Sequence, residues 1–148
     1  MYHYTDSGLD NVWLANGYHK HKTAYGEGIS IDNTEALHRA IGKWLVSVTT
    51  PLNGAELRFI RLELEATQKD LAARLGTTEQ TLRLWEKHRD KEINGSTDRL
   101  LRALYSEHLG LRRSLWKMLA ERLREEAPRE SAKACLRETN RKWALKAA

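Results

Sequence analysis

The chain has 148 residues with a net charge of +5, 41% hydrophobic and 30% charged residues, and a single cysteine, Cys135. That length allows one modest domain, or a small domain carrying an extension at each end. One cysteine excludes an internal disulfide framework or a multi-cysteine zinc site. No run approaches the roughly 18 apolar residues that span a bilayer, and the start MYHYTDSGLD lacks the basic and apolar regions of a secretory leader, so the expected compartment is the cytoplasm.

The basic excess is local. Residues 1–52 hold 4 Lys/Arg against 5 Asp/Glu, residues 53–109 hold 10 of each, and residues 110–148 hold 11 against 5. An acidic partner such as nucleic acid would explain that tail, and so would a solvated charged helix.

In chain order, residues 12–31 are rich in strand formers and broken by Asn16-Gly17, Gly26 and Gly28, which predicts two or three short strands. Asp32 or Asn33 can cap a helix that buries Ala36, Leu37, Ala40, Ile41, Trp44 and Leu45 and ends near Val48. Pro51 pushes Thr50 out of the helical region and marks a boundary. Three segments result: 1–50, a small α+β segment; 53–109, a helical domain; and 110–148, a basic helical extension.

The helices of the second segment are closely spaced. Gly54 to Glu65 places Leu57, Ile60 and Leu64 on one face. A second helix is capped by Thr67, turns Leu71, Ala72 and Leu75 inward, and stops at Gly76, which supplies the left-handed conformation of a helix end. A third follows a three-residue turn, starts after Thr78 and runs from about Glu79 to His88, with Leu82 and Trp85 inward. After RDKEINGS, a fourth is capped by Ser96 or Thr97 and presents Leu100, Leu101, Leu104 and Tyr105. A fifth is expected from Leu111 to about Glu126, before Pro128. The last 20 residues fit another amphipathic helix through Ala132, Cys135, Leu136, Thr139 and Trp143. Trp13, Tyr18, Tyr25 and Trp44 are candidates for a small core, or for a surface that meets a protein partner; at least two of them are expected in the core.

The string TQKDLAARLGTTEQTLRLWE, Thr67 to Glu86, resembles the helix-turn-helix of the XRE/Cro regulators in its Thr-Gln opening, Leu71-Ala72 pair, Leu75-Gly76 turn, Thr78 cap and the positions of Leu82, Trp85 and Glu86. With the flanking residues 53–109, and INGSTDRLLRALYSEHL after it, the segment also resembles the DNA-binding half of MqsA-type antitoxins. The resemblance implies a mainly α, lambda-repressor-like bundle with a strand-rich N-terminal segment and a C-terminal helical extension.

Carried over residue by residue, the resemblance makes Gln68 a phosphate anchor and puts Glu79, Gln80 and Thr81 in the first turn of a recognition helix, Gln80 suited to adenine. Arg83 lies one turn on, within reach of a guanine or a phosphate. Thr78 at the cap and Lys87 toward the end of the helix complete the expected DNA-binding set. Leu84 departs from the pattern, because many relatives place a polar base-reading residue there. Arg61 and Glu86 match a structural ion pair. The cysteines that hold zinc in MqsA-type proteins are absent, so no metal or other cofactor is implied, and His19 and His21 are read as exposed histidines.

The implied function is a sequence-specific, DNA-binding transcriptional regulator: an autorepressor acting as a homodimer on a palindromic operator, with the antitoxin of a toxin–antitoxin pair as its more particular form and a cognate toxin as the further partner. A stand-alone, signal-responsive regulator and a protein-binding adaptor that retains the fold are the alternatives. No phosphate loop, activated nucleophile or paired carboxylates point to an enzyme.

Overall fold

The computed structural model describes residues 1–111 and 133–147. It divides into two compact units, one made of residues 1–41 with the C-terminal residues from 133 onward, the other beginning at residue 42. The division falls inside one helix and returns the tail to the N-terminal segment.

The first unit contains β1 (Tyr2–His3), β2 (Val12–Leu14), β3 (Tyr18–Thr23), β4 (Gly26–Ile31), the start of α1 (Thr34–Ser47), β5 (Ala134–Thr139) and β6 (Lys142–Leu145). Four strands form a sheet in the order β1-β2-β5-β6, in which β2 and β5 are parallel and the outer pairs antiparallel. Strands β3 and β4 form a separate hairpin. Alternation along the strands sets one face inward: Val12, Leu14, Ala134, Leu136 and Trp143 are buried with Tyr4, Leu9, Leu37 and Ile41. Asn16 extends the β2–β5 pairing with its side-chain amide, donating to the Glu138 carbonyl at 2.9 Å and accepting from the Glu138 N–H at 2.6 Å. The Trp143 indole N–H donates to the Asp32 carbonyl at 3.0 Å, and Asn33 caps α1 by accepting from the Ala36 N–H at 3.3 Å.

The second unit holds the rest of α1, then α2 (Gly54–Glu63), α3 (Gln68–Leu75), α4 (Glu79–Lys87) and α5 (Gly95–His108). Its core gathers Leu45, Leu52, Leu57, Ile60, Leu71, Leu82, Leu101 and Tyr105, all without exposed surface. A buried ion pair lies beside it. The Arg102 Nε donates to Asp98 Oδ1 at 2.5 Å, and its other nitrogens donate to the carbonyls of Leu45 at 2.8 Å, Thr50 at 2.6 Å and Val48. The second Asp98 oxygen accepts from the Leu52 N–H at 3.0 Å. One guanidinium thereby satisfies carbonyls at the end of α1 and in the connection before Pro51, groups that a helix terminus leaves without intrahelical partners.

Three expectations are corrected. Among the described residues there are five α-helices and six strands in two sheets, a mixed α/β protein and not a mainly α, lambda-repressor-like bundle. The C-terminal helical extension is replaced over residues 134–145 by a β-hairpin. Ala134, Leu136 and Trp143 fit the two-residue period of a half-buried sheet, and Asn140 and Arg141, with φ of 52° and 61°, form the tight two-residue turn that joins antiparallel strands. Finally, α5 is capped by Asn94, which accepts from the N–H groups of Ser96 at 3.0 Å and Thr97 at 3.3 Å, and not by Ser96 or Thr97. The expected fifth helix and Pro128 lie outside the described residues, Leu111 excepted.

Of the four aromatic candidates Trp44 is buried, Trp13 and Tyr18 are half-buried, and Tyr25 stands fully exposed at the tip of the β3–β4 hairpin. No helix of the described residues is long and apolar enough to cross a membrane.

Candidate nucleic-acid interface

Helices α3 and α4 are cut to length by short-range chemistry. The Thr67 hydroxyl accepts from the Asp70 N–H at 3.1 Å and opens α3, which ends at Gly76, whose φ of 71° suits a residue without a β-carbon. The Thr78 hydroxyl accepts from the Thr81 N–H at 3.1 Å and opens α4. Leu71, Ala72 and Leu75 of α3, with Leu82 of α4, face the core, which fixes the two helices as a helix–turn–helix pair.

The orientation of α4 is held at both sides. Arg61 of α2 donates to both carboxylate oxygens of Glu86, each at 2.8 Å, and also to the Ala66 carbonyl at 3.1 Å. The structure thus forms the ion pair expected from Arg61 and Glu86, with the Glu86 side chain 5% exposed, and that one pair joins α2, α4 and the connection into α3. At the other side the first residues of α2 meet the end of α4. Gly54 N–H donates to the Lys91 carbonyl at 3.1 Å, and a β-carbon on Gly54 would stand 1.9 Å from the Trp85 carbonyl oxygen. Only glycine permits that approach. The same junction is closed by a capping box between Asn53 and Glu56.

The sequence-derived residues divide as follows. Gln68, half-buried, is the first residue of α3, beside exposed Lys69. Glu79, Gln80, Arg83 and Lys87 are exposed along α4, Thr81 is half-buried, and Leu84 is 46% exposed one turn beyond Gln80. Arg83 and Glu79 pair with each other at 2.9 Å, so the arginine must exchange this exposed partner to reach a base or phosphate. Thr78 is engaged by the fold: beyond its capping role, its hydroxyl donates to the Thr81 hydroxyl at 2.9 Å.

Arg58, Lys69 and Lys87 border a shallow groove between α2, α3 and α4, together with Thr67, Gln68, Arg83 and the Arg61–Glu86 pair. Arg61 neutralises Glu86, and Arg83 neutralises Glu79. Arg58 also approaches Glu86, at 3.9 Å, but five cations against two carboxylates leave the groove wall with a net positive charge next to the N-terminal amides of α3, an arrangement that attracts a phosphate. Arg58 was not singled out by sequence reasoning; its position one turn before Arg61 on the same helix was the available signal.

Among the described residues no group of three or more His, Cys, Asp or Glu side chains is placed to hold a metal ion. His19 is hydrogen-bonded to Asp32 at 2.9 Å and His21 to Ser30 at 2.8 Å across the β3–β4 hairpin. Compared with protein-family models, curated proteins and solved structures, the chain matches none.

Proposed function

We propose that the protein is a sequence-specific, DNA-binding transcriptional regulator in which α4 enters the major groove and the start of α3 rests on a backbone phosphate. The observation that carries this reading is the exposed face of α4, with Gln80, Arg83, Leu84 and Lys87, bordered by a groove of net positive charge. The resemblance of Thr67–Glu86 to XRE/Cro helix-turn-helix units supports it, within a mixed α/β protein. Gln80 reads adenine through two hydrogen bonds, Leu84 offers apolar contact to a thymine methyl, and Gln68 with Lys69 and Arg58 fixes the register on phosphates. Because one recognition helix covers too few base pairs for useful specificity, the active species is a homodimer on a two-fold symmetric site.

The test begins by selecting bound duplexes from a random-sequence pool, then measures affinity across a base-substitution series of the selected site. Gln80→Ala should lose about 1–3 kcal/mol of discrimination at one base pair per half-site. Gln68→Ala should weaken all sequences alike. A pool that yields no preferred sequence, or two variants with the same profile across the series, would overturn the reading.

A further inference from the structure

The outward face of the four-stranded sheet carries a second arrangement, separate from α4. Since Val12, Leu14, Ala134, Leu136 and Trp143 point inward, the alternate positions point outward: His3 on β1, Trp13 on β2, Cys135, Arg137 and Thr139 on β5, Lys142 and Ala144 on β6, with the Met1 sulfur resting 3.3 Å from that of Cys135. None of these is acidic. Arg137, Lys142 and Lys146, which follows β6, are exposed.

The aromatic part is prearranged. The rings of His3 and Trp13 are stacked with centroids 4.2 Å apart and planes within 14°, and the His3 Nε2 is held by the Asp10 carbonyl at 2.7 Å. That ring separation is close to the strand spacing of about 4.8 Å, so the rings stand side by side on neighbouring strands. Among the described residues β1 is an edge strand, with no further strand on the outer side of His3. Register aligns His3, Trp13, Cys135 and Lys146 across the sheet, Lys146 N–H donating to the Cys135 carbonyl at 2.7 Å. Three strand spacings make this row about 14 Å wide.

We propose that this face binds single-stranded nucleic acid, with a base extending the His3–Trp13 stack and the sugar-phosphate chain running over Arg137, Lys142 and Lys146. Duplex DNA keeps its bases stacked inside and offers the aromatic pair nothing to stack on. An acidic polypeptide satisfies the cations and leaves the rings unused. Only an unpaired strand supplies both a π-face and regularly spaced negative charge. The proposal is independent of duplex reading by α4.

The experiment titrates the full chain into fluorescein-labelled homopolymeric single strands of thymidylate and of uridylate, read by anisotropy at two salt concentrations, with poly-glutamate as a competitor control. Expected are binding that weakens with salt, a loss of at least about fivefold in Trp13→Ala, retention of most affinity in Trp13→Phe, and a shallower salt dependence in the Arg137→Gln/Lys142→Gln double variant. Absence of single-strand binding would overturn the proposal. So would binding that Trp13→Ala leaves intact, or that poly-glutamate displaces as well as nucleic acid, since these mark a general polyanion surface. Should Trp13→Ala fail to fold, the exposed double variant and the Trp13→Phe comparison of tryptophan quenching decide the matter: unchanged salt dependence together with no quenching difference overturns it.

Discussion

Replacing Arg102 by Met tests whether the second unit is held by its buried ion pair. Methionine keeps the length of the side chain and removes the charge and every donor. Asp98, with no exposed surface, would then be a buried carboxylate without its cation, and the carbonyls of Leu45, Val48 and Thr50 would lose the guanidinium. Breaking one partner of such a pair costs about 3–5 kcal/mol, against a total of about 5–15 kcal/mol for a domain. With a urea dependence of about 2 kcal/mol per molar, the midpoint should fall by about 2 M. Far-UV circular dichroism through a urea titration measures it. Asp98→Asn, which keeps an acceptor for the Leu52 N–H, completes a double-mutant cycle in which the pair should couple by about 0.5–3 kcal/mol. A midpoint shift under about 0.5 M in Arg102→Met, or strict additivity in the cycle, would refute the claim. If Arg102→Met does not fold, Arg102→Lys, which retains charge but not the planar fork, should still show a lowered midpoint.

Two further changes follow from backbone geometry. Gly54→Ala should destabilise by about 1–3 kcal/mol in the same urea assay, because its β-carbon meets the Trp85 carbonyl, a backbone atom that cannot rotate away; it should also weaken binding to the selected duplex, since the junction orients α4. Arg141→Gly should do the opposite and raise stability by up to about 1 kcal/mol, since φ of 61° strains a residue with a β-carbon; a lowered thermal midpoint would show that the Arg141 side chain contributes more than its conformation costs.

The parts of the fold written in local chemistry were legible in the sequence. Thr67, Gly76 and Thr78 each act within four residues of themselves, so α3 and α4 could be bounded by inspection, and the Arg61–Glu86 pair followed from a resemblance carried by the same stretch. What was missed depends on partners distant in sequence. Nothing near Ala134 announces that β5 will lie beside β2, and its apolar spacing admits a helical reading until Asn140 and Arg141 are seen to turn. Asp98 and Arg102 look like an ordinary exposed i, i+4 pair; only Leu45, Val48, Thr50 and Leu52, 46 to 57 positions earlier in the chain, make them interior. Gly54 reads as a helix start, whereas its necessity comes from Trp85, 31 positions on. At the candidate interface, exposure of Gln80 and Lys87 was readable from helical period, but the commitment of the Thr78 hydroxyl to Thr81 was not.

The parallel pairing of β2 with β5 sets an order on folding. Val12 faces Ala134 across 122 positions of chain, and the second unit begins between them, at residue 42. Its helices make contacts at short sequence separation and can close while later residues are still being synthesised. The first sheet must wait, because half its strands follow the second unit in the chain and the loop to be closed is long. Until then the edge of β2 that will receive β5 is unpaired. A chain stalled or clipped before residue 134 would therefore keep a folded helical unit attached to an adhesive strand, making the docking of the β5–β6 hairpin the step that removes an aggregation-prone edge.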